Sequence, residues 1–203
     1  MSGLAKLPAL IAAARRSPLR LRLLNLILSW SIPFNRPHGV RILELGTDLV
    51  KTSAPYRRKN QNHIRGIHAC CIATVAEFSS GLLLLSHLQP SAYRLIMARL
   101  EIDYHYQAKS RILAETRLSQ GQLTADILNP LAECEKILFT QNTEVYDAAQ
   151  NHVATARVTW QIKRWDRVQT RILKGVPHEA DFVDSGPDRA VDDPGLGHRG
   201  RRS

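Results

Sequence analysis

The chain of 203 residues is 44% hydrophobic and carries a formal net charge of +10, with 28 Lys and Arg against 18 Asp and Glu. That length suits one domain with tails better than two, and the charge favours an anionic partner: a phosphorylated small molecule, an anionic membrane or nucleic acid. Three cysteines, two of them adjacent at Cys70 and Cys71, form neither a disulfide framework nor a zinc spacing, so a reducing, cytoplasmic setting and no metal site are expected.

In chain order, residues 1–36 form a basic segment. It holds Lys6, Arg15, Arg16, Arg20, Arg22 and Arg36, and no Asp or Glu occurs before Glu44. LPALIAAARR before Pro18 and LRLRLLNLILSW after it read as two helical pieces, ended by Pro33 and Pro37. Such a start packs on the domain, lies on a membrane surface, or serves as a transit peptide, which leaves mitochondrial and peripheral-membrane locations as alternatives. Residues 37–168 form the folded domain. VRILEL and DLVKTSAPY, separated by Gly46 and Thr47, give two short strands or one bent strand. A polar stretch, RRKNQNHIRG, leads into an apolar segment from His68 to Leu88 whose apolar residues lie all round a helix, so burial on all sides is expected. Its length approaches that of a membrane span, but the carboxylate of Glu77 at its centre and the four strands that follow argue for a core helix. Those strands have period two: residues 93–106, 110–119, 134–147 and 152–165, with Ile96, Ala98, Leu100, Ile102 and Tyr104 on one face of the first. Asp147, Gln150 and Asn151 form the hairpin between the last two. Residues 169–203, rich in Gly, Pro and Asp, read as a disordered tail with a basic end.

Glu77 is the one formal charge between Ala69 and Ser86. A carboxylate on an apolar helix is either at a boundary, paired with a cation, or kept for chemistry, because burying it alone is costly. His68 lies nine residues before it. On a helix that is ~13 Å along the axis and two and a half turns, which points the two side chains to opposite faces. Two antiparallel copies would bring His68 of one chain near Glu77 of the other, so a shared site requires at least a dimer.

The run Asn62-x-x-x-Gly66-x-His68, followed by Glu77 nine positions on, resembles the motif of hotdog-fold acyl-CoA thioesterases of the phenylacetate-pathway (PaaI-like) type. Those proteins carry Asn, then Gly and His-Gly-Gly at the start of a central helix, then Asp or Glu nine residues past the His. The resemblance covers residues 30–165 and extends, through IPFNRPHGVRIL and a leading helix, to a thioesterase-like branch of that superfamily. It departs at His68-Ala69-Cys70, where the family has His-Gly-Gly. The resemblance implies an α+β hotdog fold, an antiparallel sheet wrapped around one long central helix, with an extra helical segment in front. It implies hydrolysis of a hydrophobic acyl-CoA in a homodimer or dimer of dimers. Coenzyme A enters as part of the substrate, and no separate cofactor is needed.

In that reading the N–H groups of Ala69 and Cys70 polarise the thioester carbonyl. The Asn62 amide holds a water or the carbonyl, and His68 orients the loop or donates to the oxygen. Glu77 of the partner helix activates water or attacks directly, with a pKa raised by apolar burial. Arg57, Arg58 and Arg65 bind the coenzyme A phosphates, with Arg111 and Arg157 as further cations. The competing readings are a hotdog dehydratase and a non-catalytic hotdog that binds acyl-CoA or a membrane surface. A nucleic-acid partner is not expected, since a recognition helix and aromatic-basic interleaving are lacking.

Overall fold

The computed structural model describes residues 7–167; the expected tail at residues 169–203 lies outside them. Two helices come first, α1 (Leu7–Ala14) and α2 (Pro18–Ser31), broken where Pro18 occupies the first turn of the second. A single turn, α3 (Asn35–His38), ends at Gly39, whose φ of +63° is the left-handed closure that glycine accepts without strain. There follow β1 (Arg41–Leu45), β2 (Leu49–Ala54), the long helix α4 (Ala69–His87), β3 (Tyr93–Tyr104), β4 (Ile112–Arg117), β5 (Lys136–Asp147) and β6 (His152–Arg164). The strands form one six-stranded sheet, every pairing antiparallel, in the order β1-β2-β4-β5-β6-β3. This sheet wraps α4, which is the hotdog arrangement.

The helix sits close to the sheet because its middle is small. Ser79, Ser80 and Gly81 are buried, Ser79 Oγ donates to the Val50 carbonyl (3.0 Å), and Thr52 Oγ1 on β2 donates to the Val75 carbonyl (2.8 Å). A Cβ at Gly81 would lie 2.9 Å from the Trp160 ring, so glycine sets the helix-to-sheet distance there. Among the described residues α4 is the one helix long and apolar enough to cross a membrane, and the sheet buries most of it.

Two expectations change. The helix is not covered all round: Ala69, Cys70, Ala73, Thr74 and Glu77 form a strip along its first half that the sheet leaves uncovered or half-covered. The alternation of β3 is interrupted. Its register against β6 shifts between Met97 and Arg99, which leaves Ala98 as an extra residue and reverses the facing beyond it. Leu95, Met97 and Leu100 therefore look into one cavity, where the uninterrupted pattern put Leu100 with Ile96 and Ala98. Residues 120–133, between β4 and β5, are helical, opened by a capping box between Ser119 and Gln122 and wound as a π-helix over Leu123–Leu128.

The two edges of the sheet differ. At β1, Asn25 of α2 accepts from the Ile42 N–H (2.7 Å) and donates to the Ile42 carbonyl (2.9 Å), so one side-chain amide occupies both main-chain groups of that edge residue. At β3 the strand runs twelve residues with β6 on one side and, among the described residues, no strand on the other.

Candidate active site

The loop before α4 is held by a residue that composition does not single out. Asn60 is buried; its Nδ2 donates to the carbonyls of Pro55 (2.8 Å) and His38 (2.9 Å), and its Oδ1 meets His38 Nδ1 (3.0 Å). Its own carbonyl accepts from the His68 N–H (2.8 Å). That lattice fixes where the helix begins. Asn62 organises the next stretch, its Oδ1 accepting from the N–H groups of Ile64 (3.1 Å) and Gly66 (2.9 Å), while Arg65 turns the chain with φ 59°. Asn62 Oδ1 is thus committed to the loop, and only its NH2 can face a ligand. Gly66 is needed for the approach of Gln107, whose Cγ would lie 2.7 Å from a Cβ there.

His68 is the N-cap of α4. Its Nδ1 accepts from the Cys70 N–H at 3.1 Å, which leaves Nε2 to carry the ring proton and point elsewhere. One of the two expected carbonyl-polarising donors, Cys70 N–H, is therefore already occupied. The other remains: among the described residues the Ala69 N–H has no acceptor, and it stands exposed at the positive end of a 19-residue helix. His68→Ala should cost about 1 kcal/mol through the lost cap, measured by urea unfolding.

His68 borders a cavity of about 250 Å³, with Lys59, Asn60, Cys70, Cys71 and Thr74. Burial pushes the Cys71 thiol up to about 11, so it stays protonated and is no nucleophile near neutrality. Glu77 faces a different, larger cavity of about 560 Å³, walled by apolar side chains from three directions: Leu28 and Ile32 from the N-terminal segment, Phe78 and Leu82 from α4, and Leu95 and Trp160 from the sheet. Among the described residues Glu77 makes no hydrogen bond or ion pair, and desolvation raises its pKa. Arg94 and Tyr93 are the other titratable groups on that cavity. Phe34 and Thr74 border both cavities. Within the chain, then, Asn62, His68 and Ala69 gather at the helix start, and Glu77 stands apart on the larger cavity.

Behind Trp160, which lines the larger cavity, runs a buried polar chain that the sequence pattern did not reveal. Trp160 Nε1–H donates to Ser80 Oγ (2.7 Å), which donates to Gln141 Oε1 (2.8 Å). The indole plane is thereby fixed beside Gly81 and Glu77. Of the expected phosphate ligands, Arg57 donates to the Pro37 carbonyl and packs against Gly39, whereas Arg58 and Arg65 are exposed; the Arg65 carbonyl accepts from the Tyr56 hydroxyl (2.6 Å), and among the described residues neither guanidinium engages a partner. Arg157 is spent on Asp103 (2.9 Å).

The family described as a domain of unknown function (DUF4442) matches residues 21–162, which spans α2 through nearly all of β6. The chain belongs to the DUF4442 family. No curated protein matches it. Among solved structures, this DUF4442 protein is similar to a Pseudomonas aeruginosa protein of unknown function described as a probable thioesterase, at 22% identity over 70% of this chain and 95% of that one, with a TM-score of 0.65. It is similar to a Chlorobaculum tepidum protein of unknown function, at 16% identity over 74% of this chain and 98% of that one, with a TM-score of 0.62. A Haemophilus influenzae thioesterase is 13% identical over 71% of this chain and 90% of that one, with a TM-score of 0.57. At these identities the likeness is one of fold.

Proposed function

We propose that this DUF4442 protein hydrolyses the thioester of a hydrophobic acyl-CoA, with Glu77 as general base. The observation that carries the reading is an unpaired carboxylate in an apolar cavity on the central helix of a hotdog domain. An isolated carboxylate there is a standing cost to stability, which selection tolerates where the group has chemistry to perform. Two proteins of similar structure, one described as a probable thioesterase and one as a thioesterase, support the same class.

In this reading the acyl chain lies against Leu28, Leu82, Leu95 and Trp160, with the thioester at Glu77. Glu77 takes a proton from water as the oxygen attacks the carbonyl carbon. The carbonyl oxygen gains negative charge and is met by the Ala69 N–H and the Nε2–H of His68 from a second protomer. The carbon–sulfur bond then breaks, and the thiolate of coenzyme A recovers the proton from Glu77. The half-covered strip of α4 and the unpaired edge of β3 support assembly of two protomers, because both leave surface for a second copy. Arg58 and Arg65, beside the helix start, suit the phosphates of coenzyme A.

The test is hydrolysis of a panel of acyl-CoAs, short, long and aryl, by the purified full chain. Turnover of any member supports the reading; a folded protein that turns over none of them overturns it for these substrates. The pH dependence adds a second check. The base acts only when ionised, so kcat/KM should rise with pH along a limb displaced above the ordinary carboxyl range, in the direction that burial moves Glu77. Binding of acyl-CoA without turnover is the second reading, favoured by the capture of the Cys70 N–H by His68, which halves the set of backbone donors.

A further inference from the structure

The outer face of α2 presents a feature that neither the fold nor the proposed reaction uses. This helix is apolar on two opposite sides. One side, with Leu24 at its centre and Leu21 and Leu28 beside it, packs on the domain. The other carries Leu19, Leu23, Leu26 and Trp30, exposed by 71%, 50%, 56% and 63%, and the stripe continues into Phe34 at 62%. At ~100° per residue the four helical positions fall within ~60° of one another, a continuous ridge rather than scattered surface leucines.

The charges around that ridge are of one sign. Arg20 and Arg22 flank it on opposite sides, Arg16 and Arg41 are exposed nearby in sequence, and the Arg36 guanidinium lies 3.7 Å over the Trp30 ring. No acidic residue occurs before Glu44. We propose that the Leu19–Trp30 face of α2 docks on an anionic lipid surface, its leucines and Trp30 entering the headgroup boundary and its arginines pairing with lipid phosphates. A second copy of this chain fits the face poorly, because residues 1–43 hold arginines and no carboxylate, so two such faces would meet with charge of one sign. The docked face lies next to the large cavity: Leu28 and Ile32 on the inner side of the same segment line it, and Phe34 belongs to both. A bound membrane would then border the cavity along one wall.

The proposal does not depend on thioester hydrolysis and is tested without it. The full chain is floated with phosphatidylcholine vesicles that contain or lack phosphatidylglycerol, beside Leu23→Ser/Leu26→Ser and Arg20→Gln/Arg22→Gln variants. These positions are exposed, and circular dichroism checks that each variant folds. The wild type should float with the anionic vesicles and not with the neutral ones, less so in added salt, and each double variant should bind about tenfold or more weakly. Failure of the wild type to bind anionic vesicles overturns the proposal. So does binding that both variants leave unchanged, which puts the contact elsewhere on the chain. Sedimentation velocity gives the last outcome: variants that dissociate an oligomer, with no lipid binding by the wild type, make this face a contact between protomers.

Discussion

Glu77→Gln is expected to lower turnover by about a hundredfold or more and, at the same time, to make the folded protein more stable at neutral pH. The two effects share one cause. Desolvation in the large cavity raises the folded-state pKa of Glu77 above its ordinary value of 4.5. The native state therefore holds this proton more tightly than the unfolded chain does, and stability falls as pH rises from the ordinary value through the raised one. Gln has nothing to ionise, so the variant escapes that loss. Its advantage should be present at neutral pH and shrink as the pH is lowered toward the ordinary carboxyl range. Acyl-CoA hydrolysis measured beside denaturant unfolding at two pH values checks both halves. Lost turnover with lowered stability would make Glu77 a structural residue; unchanged turnover would remove it from the chemistry.

Trp160→Ala should be the costliest single change in the cavity, at about 3–5 kcal/mol. The ring is nearly fully buried, it packs against Gly81, and its N–H begins the chain to Ser80 and Gln141. Removing it leaves a void and a hydroxyl short of a donor. Ser80→Ala separates the two contributions, because it takes away the hydrogen bond, worth about 1 kcal/mol or somewhat more, and keeps the ring. Thermal unfolding of both variants gives the comparison. In a thioesterase the enlarged cavity of Trp160→Ala should also move the preferred acyl chain toward longer members, and Ser80→Ala should move it little.

Much of the architecture can be read from periodicity. The pattern from His68 to Leu88 has no polar face, and the strands alternate, so a helix packed on an antiparallel sheet follows from residue types alone, though not the strip from Ala69 to Glu77 that the sheet leaves open. Glu77 stands out for the same reason: a single carboxylate is conspicuous in an apolar run. What escapes is set by contacts distant in sequence. The bulge at Ala98 exists only against β6, and it decides which side chains of β3 reach the cavity. Asn60 looks like one polar loop residue among several until its three partners are assembled. That His68 turns its Nδ1 onto the Cys70 N–H is a matter of rotamer, which no spacing encodes. The helical stretch at residues 120–133 is a different case, since Ser119 and Gln122 carry a legible start signal.

The amide of Asn25 has a consequence for how large an assembly can grow. A sheet with two open margins can accept a new strand on either side, and each addition renews the opportunity, so growth has no natural end. Here the β1 margin carries a side-chain plug at Ile42, while β3 offers its whole length. Strand-to-strand joining is then a one-sided reaction. Were two β3 margins to meet, neither partner would keep a second unplugged margin among the described residues, and the product would be a closed pair rather than a fibre.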